Sequence, residues 1–188
     1  MTDLALRDAS PTELTVRLAA DGDQAAFAAL VATHHASMAR VAFAITGDAD
    51  SAADAVQIAW TAAWRRLPTL RDHSTVRSWL VAIAANEARQ VLRRRKARPV
   101  VDISTHVEVI QTASDGSAGA DPADRIEIVD LARALRGLGP DDRALLALRF
   151  VAGLDSGEIA THLGLSASGV RSRLARLLER LRKELDHA

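Results

Sequence analysis

Apolar residues recur along most of the chain at the three- and four-residue spacing of an α-helix, and the two-residue alternation of a β-strand is scarce. The stretch "SPTE" at 10–13 combines a capping serine, a first-turn proline and a glutamate three residues after the serine. It predicts the start of a short helix. A long alanine-rich helix is expected from about Asp23 to Gly47, because a glycine can take the left-handed conformation that ends a helix.

Further helices are predicted over about 51–66 and 74–96, after which the composition changes. Residues 105–124 are rich in Ser, Gly, Ala, Asp and Pro and have no sustained apolar face, which favours a flexible acidic linker. Helices resume near Ile126. The expected fold is all-α, with two small helical domains joined by that linker. The expected divisions are a tail or short helix over 1–20, a first domain over 21–98, the linker over 99–126 and a second domain over 127–188.

The second domain ends in two helices with a tight turn between them. Asp155 can cap the first helix, and Glu158 completes a capping box. Gly164 suits the turn, and Ser166 can cap the second helix. The second helix carries one apolar stripe about 100° wide, which is expected to pack inward. It is formed by Val170, Leu174, Leu177, Leu178, Leu181 and Leu185. The pattern predicts a helix-turn-helix whose second helix can lie in a major groove of DNA.

The polar face of that second helix holds the candidate contacts to DNA. We expect Ser168, Arg171 and Ser172 to meet base edges, because they lie in the first turns. We expect Arg173 and Arg176 to make backbone or mixed contacts. The alternative is an ordinary amphipathic hairpin whose arginines are merely solvated.

Charge is strongly segregated along the chain although 24 basic residues balance 24 acidic ones. Residues 65–98 carry ten basic and two acidic side chains, and residues 166–183 carry six basic side chains and one acidic one. Two separate electropositive surfaces are expected, and phosphate backbones are their commonest target. Two solvated helix faces are the plainer alternative.

The first cationic block includes the predicted helix "VRSWLVAIAANEARQVLRRRKAR" at 76–98. Its apolar residues share one face, and Asn86, Arg89, Arg93 and Lys96 follow another, spaced by three, four and three residues. An amide in line with cations suits opened or distorted DNA, because cations follow the backbone while loops and aromatic rings accept unstacked bases. The preceding segment 65–75 is the natural loop to capture such bases.

Several classes of function find no support in the sequence. The chain has no cysteine, which excludes disulfides, thiolate zinc sites and cysteine nucleophiles. The six histidines do not have the spacing of metal ligands, and neither a phosphate-binding loop nor a nucleophile elbow is present. We therefore expect no catalytic residue, no metal and no cofactor. No apolar run approaches a membrane span and no signal pattern opens the chain, so a cytoplasmic protein without membrane insertion is expected.

Residues 21–98 and 127–185 resemble the extracytoplasmic-function, or group IV, sigma factors of bacterial RNA polymerase. "SAADAVQIAWTAAW" at 51–64 resembles the helix that binds the polymerase clamp, matching at Asp54, Gln57 and Trp64. "STVRSWLVAIAANEARQVLRRR" at 74–95 resembles the segment that recognises the minus-ten element. Residues 138–174 follow the domain that reads the minus-thirty-five element.

The resemblance implies a protein that binds core RNA polymerase, through the clamp coiled coil and the flap, and directs it to promoter DNA. Asp54 and Gln57 would meet the clamp coiled coil. The helix-turn-helix would hold duplex DNA, and the first domain would hold the melted strand. The residues implied in minus-ten binding are Arg77, Asn86, Arg89, Arg93 and Lys96. An anti-sigma factor wedged between the two domains is expected by the same resemblance, and the linker could also let the domains close on each other in an inactive state.

The sequence departs from the family pattern at several positions. Ala53 and Ile58 stand where the family usually carries acidic residues, which makes the clamp contact weaker or more apolar. Ala85 and Gln90 replace a basic and an acidic residue in the minus-ten segment. Two alternatives therefore stay open: a stand-alone helix-turn-helix regulator that never joins polymerase, and a sigma-like decoy that sequesters an anti-sigma protein.

Overall fold

The structure, a computed structural model, describes residues 10–97, 134–135 and 137–186, and of residues 96 and 97 the backbone alone. The described residues form helices and turns and contain no strand, which confirms the predicted all-α fold. The predicted linker 99–126 lies outside them. The α-helices are α1 (Pro11–Ala20), α2 (Gln24–Thr46), α3 (Ala49–Arg66), α4 (Val76–Ala97), α5 (Pro140–Leu146), α6 (Ser156–Leu163) and α7 (Ala167–Leu185). Two 3-10 turns, Leu67–Thr69 and His73–Thr75, precede α4, and a π-helical turn, Ala147–Val151, follows α5.

The predicted helix ends are fixed by local hydrogen bonds. At the start of α1, Glu13 N donates to Ser10 Oγ over 3.3 Å and Ser10 N donates to Glu13 Oε2 over 2.7 Å, so the predicted capping box is present. Gly47 ends α2 with a φ of 79°. Helix α3 begins at Ala49, two residues earlier than predicted, because the carboxylate of Asp48 accepts from Ser51 N over 2.8 Å and caps the helix.

Helices α2, α3 and α4 pack against one another, with α1 across α2. Small side chains at the contacts, such as Ala55 and Ala84, are fully buried and let the helix axes approach closely. Phe27 of α2 lies edge-on to Trp60 and Trp64, with ring centroids 5.6 and 4.8 Å apart. Both tryptophans thus pack against α2, although Trp64 stays 38% exposed at the rim.

The C-terminal half is a smaller core between α5, α6 and α7. Val170, Leu174, Leu177 and Leu181 of the predicted α7 stripe are buried, as expected. The stripe is narrower than predicted, since Leu178 is 45% and Leu185 is 37% exposed. Leu178 faces an open groove, and Leu185 lies in the last turn of its helix. Nothing among the described residues covers these two side chains to the extent predicted.

The two halves are in direct contact, an arrangement that the predicted linker permits but whose contacts the sequence pattern does not specify. Helix α5 packs against α2 and α4, and the buried Arg143 of α5 donates from Nη1 to the carbonyl oxygen of Ile45, in the last turn of α2, over 3.0 Å. Arg77 of α4 donates from Nη2 to the carbonyl oxygen of Ala152, over 2.5 Å. The apolar residues of both halves therefore join in one core.

Helix α2 is the one described helix long and apolar enough to cross a bilayer, with a mean hydropathy of 1.2. Its inward face is buried against α1, α3 and α4, and it carries His34, His35 and Arg40 along its length. It is a core helix of this fold and not a membrane span.

Candidate nucleic-acid interface

Helices α6 and α7 form the predicted helix-turn-helix. Asp155 Oδ1 accepts from Gly157 N and Glu158 N over 2.7 and 2.9 Å, and Asp155 N donates to Glu158 Oε2 over 2.8 Å. The two backbone donors, Glu158 N before Gly157 N, hold the pKa of the exposed Asp155 carboxyl below its ordinary value. Gly164 makes the turn with a φ of 66°. Ser166 Oγ then accepts from Gly169 N over 3.0 Å and starts α7.

The exposed face of α7 contains four of the five residues predicted to contact minus-thirty-five DNA. Ser168, Arg171, Ser172 and Arg176 are all exposed. Arg176 Nη1 donates to Ser172 Oγ over 3.3 Å, so a serine in the first turns and an arginine one turn later are already in register. This face presents hydroxyl and guanidinium groups to solvent, and the buried apolar residues of α7 lie on the other side of the helix.

Arg173, the fifth residue, is held differently. Its Nε and Nη2 donate to Asp142 Oδ1 of α5, over 3.0 and 2.7 Å, and Arg180 Nη2 donates to Asp142 Oδ2 over 3.2 Å. Asp142 thus orients two cations of α7 while both stay partly exposed. Sequence reasoning missed Asp142 and Arg180, because they lie 38 residues apart and only tertiary packing brings them together.

The second cationic surface lies on α4. We call Asn86, Arg89 and Arg93 the α4 row, and all three project from one face of the helix, as predicted. Arg89 Nη2 donates to Asn86 Oδ1 over 3.1 Å. The side chain of Lys96, predicted to extend the row, lies outside the described residues. Arg77, in the first turn of the same helix, contacts the carbonyl of Ala152.

Asp141 of α5 faces the α4 row. Arg93 Nη2 lies 2.7 Å from each of its carboxylate oxygens. Arg89 Nε lies 3.3 Å from Asp141 Oδ1 without the alignment of a hydrogen bond, so this attraction is purely ionic. Burial alone would raise the pKa of Asp141, but the hydrogen bond from Arg93 and the positive charges of Arg89, Arg93 and Arg173 outweigh it and lower that pKa.

Not every cation of the block at 65–98 is available to a ligand. Arg95 donates from Nη1 to Ser51 Oγ over 2.7 Å and pairs with Asp48 Oδ2, which ties the end of α4 to the start of α3. Glu87, which falls on the inward side of α4, is 9% exposed and accepts from Gln90 Nε2 over 3.5 Å. These residues serve the packing of the helices.

Helix α3 presents the residues predicted to bind polymerase. Asp54 and Gln57 are exposed one turn apart, beside the exposed Ala53 and Ile58. Gln57 also borders an apolar groove between α2 and α3, about 630 Å³ in volume. We call it the α2/α3 groove, and it is lined by Val31, His35, Ala39, Phe43, Ala49, Ala52, Ala53, Val56, Gln57, Trp60 and Thr61. The side chains of Asp54 and Gln57, next to the apolar α2/α3 groove, form a surface suited to a helical partner.

A second apolar groove, about 310 Å³ in volume, is lined mainly by residues of the C-terminal half and also by Ala44 of α2. We call it the C-terminal groove, and its rim includes Phe150, 60% exposed, with Val151 and Leu178. Large exposed apolar side chains gathered in one place are typical of protein interaction sites. The groove is thus a candidate second docking surface.

His34 of α2 is a buried titratable group. It is 8% exposed, and its Nε2 has no hydrogen-bond partner. Burial, and secondarily the charge of Arg77, lowers the pKa of His34. Within residues 10–97, 134–135 and 137–186 no group of three or more His, Asp or Glu side chains could hold a metal ion.

The fold and these surfaces define an all-α DNA-binding protein with two cationic helical faces, one of them on a helix-turn-helix. Two family models match it: Sigma-70 region 2 over residues 30–98 and Sigma-70, region 4, over residues 128–181.

Three relatives agree with both models. The chain is 30% identical over 174 residues to the RNA polymerase sigma factor CnrH of Cupriavidus metallidurans, covering 89% of this chain and 91% of CnrH. It is 31% identical over 166 residues to the ECF RNA polymerase sigma factor SigM of Mycobacterium tuberculosis, covering 88% and 80%. It is 32% identical over 168 residues to the probable RNA polymerase sigma factor RfaY of Xanthomonas campestris, covering 89% of this chain but only 42% of that longer relative.

Solved structures show the same architecture. CnrH in complex with the cytosolic domain of CnrY superimposes with a TM-score of 0.68 at 27% identity, covering 95% of this chain and 99% of CnrH. The sigma factor RpoE of Bartonella quintana, in complex with the anti-sigma factor NepR, shares the fold with a TM-score of 0.63 at 21% identity, covering 85% and 96%. The chain belongs to the extracytoplasmic-function sigma factors of bacterial RNA polymerase. It is a transcription initiation factor and not an enzyme.

Proposed function

We propose that this sigma factor binds core RNA polymerase, directs it to specific promoters and helps to melt the minus-ten element. One observation carries the proposal: an exposed serine and arginine face on α7, an amide and cation row on α4, and an acid and amide pair on α3 occur together in one chain of the family. The first domain, over 21–98, would serve core polymerase and the minus-ten element, and the second, over 127–188, the minus-thirty-five element. The protein would act in the cytoplasm.

For the minus-thirty-five element, α7 would lie in the major groove. Ser168, Arg171 and Ser172 would contact base edges because they occupy the first turns, which reach deepest. Arg176 would bind phosphate or base from one turn further along. Arg173 would bind phosphate while it remains oriented by Asp142, since a half-exposed guanidinium has donors to spare after one carboxylate contact.

For the minus-ten element, the cations of α4 would follow the backbone of the melted strand, and Asn86 would meet a base. Arg77, Arg89, Arg93 and Lys96 would supply the cations. Melting would need no nucleoside triphosphate on this chain, because favourable contacts to flipped bases offset an unstacking cost of a few kcal/mol per base. Tyrosine is absent from the chain, so stacking would fall to Trp, His or Arg near the loop before α4.

For core polymerase, Asp54 and Gln57 of α3 would meet the clamp coiled coil. The α2/α3 groove lies beside Gln57, which supports a contact that is more apolar than a purely acidic helix would make. The C-terminal groove would receive an apolar element of the flap. Two separate docking points would fix the distance at which the two DNA surfaces are presented.

An anti-sigma factor is a further proposed partner. RpoE was solved with the anti-sigma factor NepR, and CnrH with the cytosolic domain of CnrY. Both apolar grooves are open to a helix of such a partner. An anti-sigma factor added to core polymerase and this chain should compete with the core enzyme for the chain and abolish promoter-dependent transcripts.

The central test is transcription in vitro from a promoter library with core polymerase and this chain. Promoter-dependent transcripts are expected only when both are present. Arg171→Ala or Arg176→Ala should then lower transcription from promoters with the upstream element, by about 1–3 kcal/mol in binding for a lost bidentate base contact. Arg182→Ala, an exposed arginine later in α7, is the matched control. Equal transcription with and without that element, in wild type and variants alike, would refute the assignment.

Docking on polymerase is tested separately by charge reversal on α3. Asp54→Lys should abolish co-purification with core polymerase while leaving the helical circular dichroism spectrum unchanged. Asp21→Lys, at an exposed acid outside α3, should co-purify as the wild type does. Undiminished co-purification of the Asp54 variant would move the docking surface elsewhere. Tight binding of duplex promoter by the chain alone would favour the stand-alone regulator instead.

A further inference from the structure

Contacts between the two halves of the chain use the same side chains that the proposed function assigns to the minus-ten strand. Arg93 and Arg89 pair with Asp141 of α5, and Arg77 donates to the carbonyl of Ala152. The amide of Asn86 is occupied by Arg89. Each of the four proposed minus-ten residues whose side chain is described has a protein partner.

The paired side chains remain partly exposed, as expected of a ligand-binding surface that another part of the chain covers reversibly. Arg93 retains 52% and Asp141 42% of their side-chain exposure, whereas Arg89 retains 20%. A structural ion pair that holds a core together is normally buried and fully satisfied. Here the carboxylate lies over the edge of a cationic row, as a phosphate oxygen would, with both of its oxygens 2.7 Å from one arginine nitrogen.

The next residue, Asp142, has its ion pairs within the C-terminal half of the chain. It pairs with Arg173 and Arg180 of α7, in its own half of the chain. Two consecutive carboxylates at the start of α5 thus face two different cationic helices. One orients arginines within the helix-turn-helix unit, and the other reaches across to α4.

We propose that this arrangement is a closed conformation that excludes DNA, in which Asp141 occupies the position of a backbone phosphate on the α4 row. The inference rests on the proposed function, because it takes the α4 row as the minus-ten surface. Promoter engagement then requires the C-terminal half to leave α4, which exposes Arg77, Arg89 and Arg93 together. The free protein therefore binds single-stranded DNA more weakly than its charge predicts.

The strength of the contact suits a reversible switch. A half-exposed ion pair contributes little, and its loss shifts an equilibrium by about threefold to fivefold. Asp141 is charged at neutral pH, as any ordinary aspartate is, and its arginine neighbours lower its pKa further. The ion pair is thus weakened by competition for the cations, from DNA or from salt, and not by protonation, while the buried Arg143 and the joined core also hold the closed state.

The test measures opening and DNA binding in the same protein. The chain has no cysteine, so cysteines introduced at the exposed Ala36 and Glu184 accept a donor and an acceptor dye at defined positions in the two halves. Asp141→Asn should lower energy transfer and raise affinity for a short fluorescent single-stranded oligonucleotide of mixed sequence about threefold to fivefold. Asp141→Lys should do both more strongly, since it repels the α4 row.

Asp142→Asn is the matched control for opening, with the same chemical change one residue along, and it should leave energy transfer unchanged, because its partners lie in its own half. Asp21→Asn, at an exposed acid at the end of α1, is the control for affinity and should leave oligonucleotide binding unchanged. Energy transfer that does not fall with either Asp141 variant would overturn the inference, as would opening without a gain in affinity. If the Asp141 variants open and bind the oligonucleotide more tightly but give no transcripts with core polymerase, the inference is supported and only the proposed function is contradicted.

Discussion

The contact between the two halves depends on a buried arginine, and its removal gives the sharpest test of the architecture. Arg143 of α5 is 8% exposed. Its Nε donates to the carbonyl of Leu135 over 2.9 Å and its Nη1 to the carbonyl of Ile45 over 3.0 Å. Ile45 lies in the last turn of α2, where carbonyl groups lack helical donors and favour a cation. Arg143 therefore caps a helix that belongs to the other half of the chain.

The expected effect of Arg143→Met follows from these two bonds. Methionine has a similar apolar stem and no donor, so both carbonyl groups lose a charged partner. A hydrogen bond to a charged group contributes about 1.5–3 kcal/mol, and two such bonds lose about 3–5 kcal/mol after water partly replaces them. Against a total stability of about 5–15 kcal/mol this is a large fraction.

Urea unfolding followed by far-ultraviolet circular dichroism measures the change directly. With a slope near 2 kcal/mol per molar urea, a loss of about 3–5 kcal/mol moves the midpoint down by about 1.5–2.5 M. Arg40→Met is the control. Arg40 is exposed, and among the described residues its side chain donates one hydrogen bond, over 3.3 Å to Ser37 of its own helix. Its free energy of unfolding should change by less than about 0.5 kcal/mol. A loss below about 1 kcal/mol in the Arg143 variant would refute the capping role.

Three further predictions concern single positions. Gly47→Ala should cost about 1–2 kcal/mol of stability, because the residue has a φ of 79°. Gly137→Ala should cost nothing, because Gly137 lies in helical backbone and an added Cβ would meet no atom within 4 Å. Equal thermal melting of the two variants would contradict the strain argument. Asp155→Ala should lose the N-cap of α6 and about 0.5–2 kcal/mol, while Asp155→Asn, which keeps an acceptor, should lose a few tenths; an identical loss in both would show that charge and not capping matters. Because burial, and then Arg77, lowers the pKa of His34, the unfolded chain takes up a proton below about pH 6.5 before the folded one does, so stability should fall with pH there by at most about 1.4 kcal/mol per unit. His34→Gln should flatten this dependence, and an unchanged slope in chemical denaturation would show that His34 titrates normally.

The features that the sequence predicts correctly are those encoded within four residues. The capping boxes at Ser10 and Asp155 and the left-handed turns at Gly47 and Gly164 all formed where expected. Each depends on side chains that meet their own backbone, so no knowledge of packing is needed. The candidate helices and the exposed faces of α4 and α7 follow from the same local rules.

Contacts between distant residues could not be predicted in this way. Arg93 meets Asp141 across 48 residues, and Arg143 meets Ile45 across 98. The exposed Leu178 was wrongly predicted to be buried, because a helical stripe gives the direction of a side chain and not what covers it. The roles assigned to Asp54 and the arginines remain predictions that depend on partners outside this chain.

The separation of Arg93 from Asp141 along the chain also has a consequence for biosynthesis. The ribosome releases α4 first, and at about 5–20 residues per second the 48 residues to Asp141 take about 2–10 s. During that interval the nascent first half has its cations uncovered beside ribosomal RNA, itself a polyanion. The timing of translation, as well as the finished fold, thus decides what those arginines meet first.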